Sequence, residues 1–290
     1  MKNDLIISPI FYMGNKKKLI NKRLCNLFPK SIHTFYDLCA GSAIVSMNTK
    51  ANRYVINDID DNLFKFYELF KLKSSQEIIE HILYNINKFG MKRTRTEQNT
   101  SEAAEYKKRY ILMRDYANQT HNQIDIYSCM FYAFSQQMRF NSKGEFNMPF
   151  GNRAFNELNE QYIKNGCNFF SQPNVYISRF DFHKLPIDKL STLDFVYLDP
   201  PYLNTIATYN ENNNWNLNDE KSLYKFCENL NKANIKWGLS NVFENKGKIN
   251  NRLIEWCEQN DWNIYTFDKF TYMACGKGNS QAKEVFICNY

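Results

Sequence analysis

The chain has 290 residues, 43% of them hydrophobic, enough to bury a sizeable core and to hold one or two domains, with no apolar run long enough to span a bilayer. A formal charge of +7 and an aromatic content of 16% lean toward nucleic acid, where cations meet phosphates and rings stack on bases. Eight cysteines include no C-x-x-C pair, so scattered reduced thiols are expected rather than a zinc framework or disulfide scaffold.

Met1 to Pro9 carries only a brief apolar patch, without the core or cleavage site of a secretory signal, and a cytoplasmic protein is expected. Short apolar runs predict strands over Thr34–Cys39, Arg53–Asn57, Val175–Ser178, Phe195–Leu198, Ile235–Ser240, Ile264–Phe270 and Val285–Cys288. Helical or turn-rich segments separate them, which predicts an α/β fold with a largely parallel sheet. Between the second and third strands lies a long insert. Ile78, Ile79, Ile82, Leu83 and Ile86 mark one helical face there, and a second helical stretch is expected near Ala103 to Phe134. Its exposed Lys107, Lys108 and Arg109 read as a solvated face. The run "RFNSKGEFNMPFGN" then mixes turn residues with aromatics, as an irregular hairpin does. The asparagine-rich 210–218 reads as a loop. Two domains are expected: a catalytic one from residues 1–62 and 174–290, and a mostly helical target-recognition domain over residues 63–173.

Chemistry is expected in three places. In "TFYDLCAGSA" a strand ends at Asp37, and the small-residue turn Ala40-Gly41-Ser42-Ala43 lets a ligand approach the backbone before a helix begins. Asp58, at the tip of the second strand, is placed to accept hydrogen bonds from a ribose diol. The absence of G-x-G-x-x-G disfavours a pyrophosphate-binding dinucleotide site. The second place is "FVYLDPPY". Two prolines end the strand in a rigid, extended Asp199-Pro200-Pro201-Tyr202. An exocyclic amine is a poor nucleophile because its lone pair enters the ring. The Asp199 carboxylate and the Pro200 carbonyl could accept its two protons while Tyr202 stacks on the base. The third is Phe134 to Asn152. Arg139 has the fork that matches guanine, Phe134 could wedge beside a flipped base, and Asn141, Lys143 and Asn147 could hold phosphates or bases.

Together these motifs resemble the DNA adenine-N6 methyltransferases of the Dam type, the D12 class, α group, over nearly the whole chain. The resemblance implies a Rossmann-like class I methyltransferase sheet, S-adenosyl-L-methionine as methyl donor and double-stranded DNA as substrate. It further implies cofactor contacts from Tyr12 and Lys16 in "FYMGNKKKLI", from Asp37, Cys39, Gly41, Ser42 and Ala43 in the turn, and from Asp58, Asp199, Asp181 and Phe182. Cys39 replaces a usual aromatic and Ala43 a frequent second glycine. Gln137 lies in a base-touching stretch, so a GATC target does not follow, while Arg139 matches the family's guanine reader. The closing "SQAKEVFICNY", with Glu284 and Tyr290, is similar to the family's last strand. A monomer is expected, with a companion restriction endonuclease possible and no metal required. The alternatives are cytosine-N4 or RNA-adenine methylation, or a DNA-binding protein of this fold without catalysis. A serine in place of Asp199 would favour the cytosine enzymes.

Overall fold

The structure is a computed structural model that describes residues 5–21, 23–203, 215–245, 247–267, 270–273 and 279–290. Its sheet contains β1 (Thr34–Asp37), β2 (Arg53–Asn57), β3 (Val175–Ser178), β4 (Phe195–Leu198), β5 (Lys236–Asn245), β6 (Lys248–Ile249), β7 (Asn263–Thr266), β8 (Phe270–Met273) and β9 (Asn279–Cys288). The spatial order is β3-β2-β1-β4-β5-β9-β7, with β6 paired to β5 and β8 to β9. The first five strands of that path are parallel, and β9 runs antiparallel to both β5 and β7. The order reverses between β1 and β4, and in open α/β sheets the crevice at such a switch point is where ligands bind.

A strand buried on both faces needs apolar residues throughout, and β4 meets that demand. Its alternation sends Phe195 and Tyr197 into one core cluster and Val196 and Leu198 into the other. The helices are α1 (Lys17–Asn21), α2 (Ile44–Met47), α3 (Asp61–Leu72), α4 (Ser75–Lys88), α5 (Ser101–Thr120), α6 (Gln123–Met130), α7 (Glu157–Phe170), α8 (Leu217–Lys232) and α9 (Asn251–Asn260). Those from α3 to α7 share the first cluster with the sheet, while α8 and α9 cover the other face.

α4 forms on the expected periodicity: Ile78, Ile82 and Ile86 are buried, and a Ser74/Glu77 capping box starts the helix. Elsewhere the structure corrects the sequence boundaries. The stretch near Ala103 to Phe134 is two helices, because His121 adopts left-handed geometry as the cap of α5 and Asn122 opens α6. The expected strand Ile264–Phe270 is divided between β7 and β8, which pair with different halves of β9; residues 268 and 269 lie outside the described residues. β5 and β9 are ten residues each, longer than expected, because each completes the other's ladder. Of the asparagine-rich segment, residues 210–214 lie outside the described residues. Its end is no loop: Asn216 caps α8 through the backbone amides of Asn218 and Asp219. The hairpin forms as expected. Phe140 bridges Phe146, and the Asn141 side chain accepts from the amides of Lys143 and Glu145, closing a turn with Gly144 at positive φ.

Candidate active site

The turn after β1 is held from three sides. Gly41 has φ +52°, a conformation suited to glycine, and a Cβ there would lie 3.0 Å from the Tyr12 ring. The Gly41 amide donates to Asp58 Oδ2 at 2.8 Å, and the Tyr67 hydroxyl donates to the Gly41 carbonyl at 2.6 Å. Asp58 Oδ1 accepts from the Asp60 amide. The carboxylate at the tip of β2 is thus fixed against the turn at the tip of β1. Asn57, fully buried, ties in the loop after β3. Its side-chain nitrogen donates to the Leu38 and Phe180 carbonyls, and its oxygen accepts from the Phe180 amide and the Ser178 hydroxyl.

These loops face a cavity of about 1090 Å³ that also receives the tetrapeptide after β4. Lys16, buried, donates to Asp199 Oδ2 at 2.7 Å and to the Gly14 carbonyl, with its ammonium 5.0 Å from the Tyr202 ring centre. The Tyr202 hydroxyl, with one proton to give, lies 3.0 Å from Asp199 Oδ1 and 3.3 Å from Glu284 Oε2 and donates to one of these carboxylates at a time. On the opposite wall Phe182 packs on Phe226, and Asp181 caps the turn that follows through the His183 amide and ring.

Of the residues expected from the sequence, Tyr12, Lys16, Cys39, Gly41, Ser42, Asp58, Asp181, Phe182, Asp199, Pro200, Pro201 and Tyr202 line this one cavity. Gln137, Arg139, Asn141 and Asn147 of the hairpin segment line it too. Four others do not. Asp37 and Ala43 are buried behind the wall, Ala43 as the left-handed cap of α2. Phe134 is exposed outside the cavity, and Lys143 stands at the exposed tip of the hairpin. Arg139 is braced from its own hairpin: Nε donates to the Asn147 side chain and Nη2 to the Asn147 carbonyl.

The electrostatics follow from burying carboxylates together. Burial pushes Asp37 up to about 7; the Ser46 hydroxyl opposes this, and the charge of Asp199 adds to it. One Asp37 oxygen accepts from Ser46 and the other is buried without a hydrogen-bond partner. Burial likewise raises Asp58 to about 6 against the hydrogen bonds it accepts from the backbone. Asp199 is raised by burial and pulled back by Lys16. Burial, with three carboxylates nearby, raises the Cys39 thiol well above its usual range. Asp199 and Asp58 both line the cavity and both are already held, Asp199 by Lys16 and Asp58 by two backbone amides, and Asp58 keeps lone pairs for the hydroxyls of a ligand. Among the described residues, seven cysteines are free, no cluster of His, Cys, Asp or Glu could hold a metal, and no helix is long and apolar enough to cross a membrane.

The sequence did not mark Asn57 as a clamp, because three of its partners come from the end of β3 and the loop after it. A polar residue closing an apolar strand is the only local signal. Trp215 and Phe180 also line the cavity without having been singled out in the sequence, and so does Met148 within the hairpin segment.

Fold and site together define a class: an α/β chain whose parallel sheet has its crevice at the switch point, with Asp199-Pro200-Pro201-Tyr202 opening into it. The chain belongs to the D12 class N6 adenine-specific DNA methyltransferases, whose family model matches residues 12–271. It is 32% identical to modification methylase StsI of Streptococcus sanguinis, over 98% of this chain and 43% of the relative. It is 31% identical to type II methyltransferase M.FokI of Planomicrobium okeanokoites, over 99% of this chain and 43% of that one. The DNA adenine methylase of Salmonella typhi is 26% identical over 66% of this chain and 65% of its own length. The chain therefore spans less than half the length of the first two of these relatives.

Proposed function

We propose that this chain binds S-adenosyl-L-methionine and methylates N6 of an adenine flipped out of duplex DNA. The observation that carries this reading is the Asp199-Pro200-Pro201-Tyr202 clamp, set in the same cavity as Asp58 and Phe182. When bound, the cofactor supplies an electrophilic methyl group. Asp58 holds the ribose diol, Phe182 and Asp181 take the cofactor's adenine, and the Gly41 turn admits its backbone side. Asp199 and the Pro200 carbonyl accept the two protons of the target amine, which localises its lone pair.

Lys16 has a clear task in this scheme. Burial favours a protonated Asp199, which would be a poor acceptor, and the adjacent ammonium opposes that shift. Each carboxylate oxygen has two lone pairs, so Asp199 can hold Lys16 and still accept from the substrate. Tyr202 must release Asp199 Oδ1 if its ring is to stack on the base. Arg139 reads a guanine beside the target, steadied by Asn147.

The catalytic part comprises residues 1–62 and 174–290, and residues 63–173 present the duplex. The protein works as a single copy in the cytoplasm beside a companion restriction endonuclease; the modification-methylase names of its relatives support that partner. The test is to treat methyl-free DNA of random sequence with protein and cofactor and to map N6-methyladenine at base resolution. Methyl groups at cytosine N4, or none at all, would overturn the reading.

A further inference from the structure

A second cavity, of about 420 Å³, adjoins the first and shares Phe11, Asn15, Ser42 and Ile44 with it. Its charged lining is entirely basic among the described residues: Lys17, Arg93, Arg95 and Arg153. The two parts of the chain that supply the arginines are joined by the Thr96 amide, which donates to the Asn152 carbonyl at 3.1 Å. Arg93 is neutralised by Glu160 at 2.5 Å. Arg95 and Arg153 are held by uncharged partners instead. Arg95 donates to the Asn152 side-chain oxygen at 2.8 and 3.0 Å, in the amide orientation that satisfies both groups. Arg153 donates to Gln136 Oε1 at 2.9 Å, and Gln136 is itself buried.

An amide fixes a guanidinium without cancelling its charge. Each arginine has five N–H donors, so most of those on Arg95 and Arg153 remain for a ligand. Two oriented, uncompensated guanidiniums beside a lysine make a site for an anion with several oxygens. Because this cleft shares a wall with the catalytic cavity, such an anion lies beside whatever base enters there. We propose that the Arg95–Arg153–Lys17 cleft grips backbone phosphates of the DNA strand next to the target nucleotide. This rests on DNA being the substrate of the catalytic cavity, and adds a sequence-independent grip separate from the hairpin that carries Arg139.

The test uses the full chain, fluorescently labelled unmethylated duplexes of several sequences, and anisotropy titrations over a range of salt concentrations. Every phosphate that a variant no longer neutralises lowers the slope of log K against log salt by about 0.9. The double variant Arg95→Gln with Arg153→Gln should therefore reduce the slope by about 2 and weaken binding alike on every sequence. Calorimetric affinity for S-adenosylmethionine should stay at the wild-type level, and the Arg95→Lys, Arg153→Lys pair should keep most of the slope. If the glutamine pair does not fold, Lys17→Gln on the exposed start of α1 must itself lower the slope by about 1. An unchanged slope overturns the phosphate grip while leaving the proposed function standing. A loss confined to certain sequences makes these arginines base readers and overturns it as well. Wild-type protein without duplex affinity sinks both the grip and the function it rests on.

Discussion

Lys16 Nζ and Asp199 Oδ2 stand 2.7 Å apart in a cavity where burial raises Asp58 and Asp199, with Asp37 raised behind its wall. The pair gives a prediction with a defined sign. Without the ammonium, Asp199 is raised further and stays protonated to higher pH. Lys16→Met should therefore move the acidic limb of the pH–rate profile for methyl transfer to higher pH. Asp199→Asn, with no ionisable acceptor left, should cost at least about 100-fold in rate and show no such limb. Single-turnover transfer of labelled methyl groups measures both. Identical limbs in wild type and Lys16→Met would refute the role of Lys16.

Asp37 makes stability depend on pH. Its folded-state value of about 7 lies above the unfolded one, so its contribution is fully present below about pH 4 and is lost as pH rises toward 7. Over about three pH units that loss is on the order of 4 kcal/mol. Asp37→Asn can keep the Ser46 hydrogen bond and removes the titration. Urea unfolding across that window should show a smaller decline in the variant than in wild type. Parallel curves would mean that Asp37 does not carry the effect.

Gly41→Ala meets two obstacles at once. Its φ of +52° costs roughly 1–2 kcal/mol for a residue with a side chain, and the new methyl group would press on Tyr12. Stability should fall by that amount and cofactor affinity should weaken. Adding Tyr12→Ala relieves the crowding but not the backbone strain. Calorimetry with S-adenosylmethionine and chemical denaturation, run on both variants, separate the two effects.

Asn57→Ala leaves two carbonyls, an amide and a hydroxyl short of a partner inside the protein. At about 1–3 kcal/mol for a single buried unsatisfied group, a total loss of roughly 3 kcal/mol or more is expected. Denaturant melts measure it. A loss below about 1 kcal/mol would show that water replaces the clamp readily.

Arg139→Ala should relax discrimination at one guanine by about 1–3 kcal/mol. Asn147→Ala should reproduce much of that relaxation, because it frees the guanidinium to wander. Site maps of methylated random DNA report both, and a loss that is equal on all sequences would make Arg139 a phosphate anchor.

Much of this was legible because parallel-sheet sites are written locally. A buried strand, the abrupt turn after it and the acid at its tip are contiguous in sequence, as in "FVYLDPPY" and "VINDID". The structure brings those fragments to one crevice with few surprises. What stayed hidden depends on partners distant in sequence. Asn57 acts through Phe180, and Arg95 and Arg153 matter because they share a cavity with Lys17. The division between β7 and β8 was equally opaque, since only β9 decides which residues find a ladder partner. Asp37 misled in a different way: an acid at a strand end can turn behind the wall, and spacing cannot tell the two cases apart.

The place of β9 has a consequence for how this unit acquires its structure. β9 follows every other strand in sequence yet lies between β5 and β7, so until it pairs β7 has no neighbour and β5 has none on the side away from β4. Until then β5, ten residues long, presents unpaired backbone N–H and C=O groups along that edge. Pairing of this kind is non-local, and its closure is slow compared with helix formation. Refolding should therefore include an interval in which the helical part is formed while β5 is still open to association with other chains. Crowded refolding would then favour aggregates joined through β5, which light scattering during refolding at rising protein concentration would detect.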